Sequence, residues 1–334
     1  MAYVLRRFVA MAVTIALVSV VAFILIQLPP GDYISSYVAA REAAGDDEVS
    51  QGEIDSMVRE FGLDKPVHMQ YLRWIGRIVT KGDFGRSFAY RRSINELIWE
   101  RFVLTAVVGL SALVITYLVG VPLGIYSSLR QYSVSDFALT TVGYVGLATP
   151  NFLLAILLMY LGFKYFGASV GGLFDAKYME SPWTLAKIVN MLGHLWVPAI
   201  VLGTAGTAGI IRVTRGMMLD ELRKQYVVTA RAKGLSERSL IFKYPVRIAL
   251  NPIVATIGWQ LTAIVSGAPI VAMVLSLPTT GPLMINALLL QDMYLAGTFI
   301  LLLCTFTVVG TFISDVLLAM LDPRIRLGAE RDGG

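Results

Sequence analysis

The sequence predicts an all-α membrane protein with six transmembrane helices and a small extracytoplasmic cap after the first. Three observations predict it. Apolar residues make up 56% of the 334 residues and charged residues 15%, a balance far from that of soluble domains. The apolar residues gather into runs near 8–28, 103–126, 137–163, 195–211, 253–277 and 296–320, each close to the roughly 20 residues a helix needs to cross the hydrocarbon core. Lys and Arg crowd alternate short connections between those runs, as the positive-inside rule requires of a multi-pass chain.

Taken in order, the first run follows Arg6 and Arg7, the arrangement that also introduces a secretory signal. From Phe8 to Leu28 it outruns the roughly 7–15 residues of a signal core, and no small-residue cleavage site follows directly, so residues 1–28 read as a cytoplasmic N-terminus and a retained helix. The segment 29–102 carries slightly more Asp and Glu than Lys and Arg. It is long enough to cross regardless of charge, and the alternation of basic connections places it outside. Gly45 to Glu48 read as a polar turn, and Ile54, Val58 and Phe61 recur at helical spacing. The segment is therefore expected to be a partly helical cap with no independent core.

Residues 103–322 form the expected five-helix core. Its connections place Arg130 inside, then Lys164, Lys177 and Lys187 outside, then Arg212, Arg215, Arg223, Lys224, Arg231, Lys233, Arg238, Lys243 and Arg247 inside. Arg324, Arg326 and Arg331 lie in a cytoplasmic tail, 323–334, so both termini face the cytoplasm. Pro122, Gly124, Pro150, Pro198, the run Gly203 to Gly209, Gly258, Gly267 and Pro269 fall in the spans. Such residues serve close helix packing one by one, and together they favour a central pathway over a simple anchor.

Several function classes are excluded or disfavoured. The net charge of +5 is spread around the spans and does not form a basic domain interleaved with aromatics, which excludes nucleic acid as a partner. Cys304 is the single cysteine; it reads as a packing residue and allows no disulfide or Cys-based metal site. His68 and His194, the two histidines, lack metal-ligand spacing. Asp315 is the one carboxylate inside a run, near its cytoplasmic end, where it is either functional or close to headgroups. A secondary transporter would carry mid-depth charge that these spans lack. No Gly-x-x-x-x-Gly-Lys-Ser/Thr phosphate loop occurs, so the chain is not expected to act on ATP.

The most informative connection is 212–250. Leu219, Leu222, Tyr226 and Ala230 recur at spacings of three and four with charged residues on other faces, which predicts one amphipathic helix. Gly234 supplies a left-handed stop, Leu235 the accompanying apolar contact, and Ser236 a cap for a second short helix. A basic amphipathic helix of this kind either docks on a partner or lies on an anionic membrane surface, and spacing alone leaves both open.

The segment Tyr226-Val227-Val228-Thr229-Ala230-Arg231-Ala232-Lys233-Gly234-Leu235-Ser236 resembles the cytoplasmic loop of ABC importer permeases in the dipeptide, oligopeptide and nickel branch, the binding-protein-dependent inner membrane components. Phe61 to Pro66 followed by Gln70-Tyr71-Leu72, the stretch Gly82-Asp83-Phe84-Gly85-Arg86-Ser87, Gly120 to Gly124, Thr149-Pro150-Asn151-Phe152, and the ending Leu321 to Arg326 are similar to other parts of that family in order and spacing. There are departures: Pro278-Thr279-Thr280-Gly281 stands where a Pro-Gly-Leu-Gly turn is usual, Tyr244 and Ile248 flank Pro245 where His and Asn are usual, and Val228 replaces the Glu of the broader loop pattern.

The resemblance implies the type I ABC importer permease fold in a bacterial inner membrane. It implies a second homologous permease, two ATPase subunits that hold ATP and Mg, an extracytoplasmic solute-binding protein, and contact with membrane lipid; this chain itself carries no cofactor. It also implies an ATPase-coupling role for Arg223, Lys224, Tyr226, Val227, Thr229, Ala230, Arg231, Ala232, Lys233, Gly234 and Leu235, with Tyr226, Val227 and Ala230 as knobs in an ATPase groove. The expected solute is a peptide or similar oligomer, with an oligosaccharide as the alternative.

Overall fold

The computed structural model describes residues 2–27, 64–87, 89–167 and 171–321, with single positions between 38 and 59. The expected turn at Gly45 to Glu48, the helix through Phe61 and the ending from Asp322 lie outside the described residues or run into them only in part. The described helices are α1 (Ala2–Gln27), α2 (Val67–Lys81), α3 (Ile94–Leu129), α4 (Val134–Ala148), α5 (Asn151–Phe166), α6 (Leu185–His194), α7 (Trp196–Leu222), α8 (Gln225–Ala232), α9 (Glu237–Lys243), α10 (Pro245–Ala255), α11 (Ile257–Val274), α12 (Thr280–Leu289) and α13 (Met293–Leu321). Among the described residues, five helices are long and apolar enough to cross a membrane: α1, α3, α7, α11 and α13.

The third expected span, 137–163, is not one helix. It is α4 and α5, bent by 106° at the two residues between them. Proline explains the break: it lacks an amide hydrogen and pushes the preceding residue out of helical geometry. Thr149 accordingly sits at φ −83°, ψ 121°, and Pro150 at φ −57°, ψ 135°, directly ahead of α5.

The chain divides into two compact units. The first comprises Met1–Met11, Thr105–Pro278 and Thr307–Gly334. Its centre is α7, which packs against α4, α5, α6, α10 and α11. Small residues also let α3 come close to α7. A Cβ on Gly124 of α3 would fall 2.5 Å from Thr214 Cβ, and one on Gly203 would meet Ala112 O and Thr116 Oγ1 at 3.1 Å. Thr116 Oγ1 donates to the carbonyls of both Ala112 and Gly203, at 2.8 and 3.2 Å. Asp315 of α13 pairs with Arg7 of α1 at 3.4 Å, so its charge is met within this unit.

The second unit comprises Ala12–Leu104 and Thr279–Phe306. Its core joins Phe23, Trp74, Ile94, Ile98, Leu295 and Phe299, with Phe23 edge-on to Tyr71 at 5.5 Å. The stretch Gly82 to Ser87 is a clip: Gly82 ends α2 at φ 62°, Asn95 accepts the Phe84 amide at 3.0 Å, and Ser87 pairs with Arg92 O at 2.9 Å. Buried Asp292 fastens it. Its Oδ2 accepts Ser87 Oγ at 2.5 Å and the Ala89 amide at 3.1 Å, while its Oδ1 accepts the Leu295 amide at 3.2 Å in the first turn of α13.

Candidate coupling hairpin

The cytoplasmic connection expected at 212–250 is built from the end of α7, α8, α9 and the start of α10. Leu219 and Leu222 belong to α7, and Tyr226 and Ala230 to α8, so the single amphipathic helix expected across them is broken. Lys224 makes the break with extended backbone, φ −70° and ψ 147°. The periodic pattern survives because both helices cover neighbouring apolar surface.

Gly234 takes the left-handed conformation the sequence called for, at φ 80°. The Lys233 amide donates to Thr229 O at 3.0 Å and the Leu235 amide to Ala230 O at 3.4 Å, closing the helix end. Leu235 packs against the buried trio Val227, Ala230 and Leu240. Ser236 precedes α9 without a side-chain cap; its carbonyl accepts the Leu240 amide instead, at 2.9 Å. Arg231 and Glu237 face each other across the turn, Nε to Oε1 at 2.6 Å. Each holds the other charged: the guanidinium lowers the Glu237 titration range and the carboxylate raises that of Arg231.

The expected groove-filling knobs need correction. Val227 is fully buried and Ala230 is 6% exposed; both are turned onto Leu240 of α9 within the same chain. Tyr226 is half-buried as well, its hydroxyl donating to Glu221 at the end of α7. Burial first, and the Glu221 carboxylate second, raise the Tyr226 titration range. The outward face carries Val228, 49% exposed, with Thr229, Ala232 and Lys233, and Arg223, Lys224, Arg231 and Gly234 are also exposed.

Two clusters link this hairpin to the long helices. Val227, Ala230 and Leu240 form one, and Met218, Val246 and Ala249 the other; Ile241 packs against both. Ile125 near the end of α3 and Leu222 at the end of α7 border the second cluster. The hairpin is thus joined to α7 and α3 by contiguous packing.

The sequence reading missed Asp136. Only 3% exposed, it accepts from Arg215 twice, from Ser127 and from the Tyr132 amide at 2.9 Å. It thereby joins α4 to α7 beside the hairpin's root. The available signal was Ser133-Val134-Ser135-Asp136, a capping pattern; Ser133 Oγ indeed accepts the Asp136 amide at 3.2 Å.

Comparison with known proteins places these features in context. The family model described as binding-protein-dependent transport system inner membrane component matches residues 120–327, and the one described as its N-terminal membrane component matches residues 1–109. Oligopeptide transport system permease protein AppB of Bacillus subtilis is 32% identical over 97% of this chain and 99% of its own. Dipeptide transport system permease protein DppB of Escherichia coli K12 is 28% identical over 97% and 98%. The solved structure of the MetNI methionine ABC transporter in inward facing conformations aligns with TM-score 0.50 at 15% identity, over 67% of this chain and 94% of that one, a likeness of fold.

Proposed function

Because this chain belongs to the binding-protein-dependent transport system inner membrane components, a family of multi-pass bacterial ABC permeases, we propose that it forms half of the path of an ATP-driven peptide importer. The observation that carries the reading is the match along the chain to permeases named for oligopeptides, di/tripeptides, dipeptides and glutathione. Those names favour a peptide over the oligosaccharide alternative.

In this reading a second, homologous permease completes the path, two ATPase subunits supply ATP and Mg chemistry, and an extracytoplasmic binding protein delivers the solute. Residues 29–102 face outside, and both termini and the hairpin face the cytoplasm. The α8–α9 hairpin is the ATPase-coupling element. Its exposed Val228, Thr229, Ala232 and Lys233 meet the ATPase, with Arg223, Lys224 and Arg231 at the rim. Tyr226, Val227, Ala230, Gly234 and Leu235 set its shape from behind. A short helix that exposes Val228 and Ala232 among cations suits insertion into a groove.

The test is uptake into vesicles holding both permeases and both ATPase subunits, with loaded binding protein outside. Peptide should accumulate with ATP inside and not with a non-hydrolysable analogue. Accumulation driven by a proton or sodium gradient without ATP would overturn the proposal.

A further inference from the structure

The geometry points to a carboxylate-binding site beside α2, which we infer holds a peptide by that group; the peptide part rests on the functional reading above. The cavity lies wholly within the second unit and measures about 300 Å³. One face of α2 supplies Arg73, Trp74 and Arg77, and the Asp83 to Gly85 turn and Tyr294 close it.

Its charge is lopsided. Among the described residues, Arg59, Arg73 and Arg77 line it against a single carboxylate, Asp83, and Asp83 Oδ1 is already engaged by the Gly85 amide at 2.9 Å. Among the described residues, no ion pair involves Arg73 or Arg77. The second observation is independent of charge. Trp74 is 5% exposed, and its Nε1–H is buried with no hydrogen-bond partner. An indole donor shut away from water is costly unless an acceptor meets it.

The unspent groups are thus donors: exposed Arg73 and half-buried Arg77 along the cavity, and Trp74 buried in its wall. Their complement is a flat anion with two oxygens, which guanidinium forks bind through parallel hydrogen bonds. The volume admits that group with the residue bearing it. A peptide offers it from its C-terminus or from an acidic side chain.

Isothermal titration calorimetry on the assembled transporter, without binding protein or nucleotide, tests the site. The probes are acetate, tri-alanine, tri-alanine amide, N-acetyl-Ala-Asp-Ala amide and inorganic phosphate. Tri-alanine should bind, its amide about tenfold more weakly, and recovery with the Asp-containing amide would assign the group to a side chain. Arg77→Gln should weaken tri-alanine and acetate about tenfold, with Arg77→Lys partly restoring both. Trp74→Phe, which removes only the N–H, should cost a smaller factor. Arg73→Gln at the exposed rim reports the same loss if Arg77→Gln fails to assemble.

Equal binding of tri-alanine and its amide, phosphate binding tighter than either acid, or no binding to the wild type would overturn the inference. So would unchanged peptide binding in Arg77→Gln together with weakened capture of the binding protein. Vesicle uptake separates the two readings. ATP-driven tri-alanine uptake with KM unchanged in Arg73→Gln and Arg77→Gln sinks the site alone. A wild-type transporter that hydrolyses ATP with loaded binding protein yet moves no peptide sinks the functional reading, while acetate binding lost in Arg77→Gln still supports the carboxylate site.

Discussion

Arg215 grips Asp136 through two parallel hydrogen bonds, Nε to Oδ1 at 2.9 Å and Nη2 to Oδ2 at 2.8 Å, across 79 residues of sequence. The carboxylate is buried while a quarter of the guanidinium side chain reaches the surface. Arg215→Leu should therefore cost about 3 kcal/mol, at the lower end of the range for stripping a partner from a buried charge. Asp136→Asn keeps the volume and should cost about 1–2 kcal/mol. Thermal unfolding of the purified chain in detergent checks both, and the double variant should fall well short of their sum.

Gly234 has nothing within 4 Å of where a Cβ would stand, so a side chain there meets backbone strain and no clash. Gly234→Ala should cost about 1 kcal/mol, and Gly234→Asn less, because Asn tolerates the left-handed region. If the hairpin couples the ATPase to the spans, uptake should fall in the order glycine, asparagine, alanine at matched expression. Equal uptake by all three would show that the angle between α8 and α9 does not matter.

Ala230 and Val228 separate folding of the hairpin from docking. Ala230→Asp puts a charge against Leu240 and should lower the melting temperature as well as uptake. Val228→Ser should leave the melting temperature within about 1 °C, a change typical of surface sites, yet reduce ATPase co-purification. Unchanged retention in Val228→Ser and Ala232→Ser alike would leave contact with the membrane surface as the better account of α8.

Asp292 bonds to the clip and to the first turn of α13 with one carboxylate. Asp292→Ala should cost about 2–3 kcal/mol, a lost cap plus a buried hydroxyl left without an acceptor for its proton. The clip should become the first site of proteolytic cutting, near Arg91 and Arg92. Limited trypsin digestion reads this directly.

Topology is open to labelling in a Cys304→Ser background. Val79→Cys on exposed α2 should react with an impermeant maleimide in intact cells, whereas Phe242→Cys on α9 should react only after permeabilisation. The reverse pattern would invert the proposed orientation.

What was legible in the sequence followed the range of the interaction. Hydropathy located the long helices, since a crossing is a property of consecutive residues. Gly234 was readable because positive φ is a demand made at one residue. The apolar period through Tyr226 and Ala230 showed that Ala230 avoids water, but not that Leu240 covers it, because a repeat names a face and not its neighbour. Asp136 and Asp292 escaped for the same reason: their partners Arg215 and Ser87 lie 79 and 205 residues away. Pro150 was visible throughout, yet a bend of 106° cannot be told from a mild kink by composition.

That bend shortens what α4 and α5 can reach. At 1.5 Å per residue neither α4 nor α5 exceeds about 24 Å, so neither alone traverses a hydrocarbon layer of about 30 Å. Bent by 106°, the two arms together reach about 28 Å from end to end, little farther than one arm alone and short of that layer.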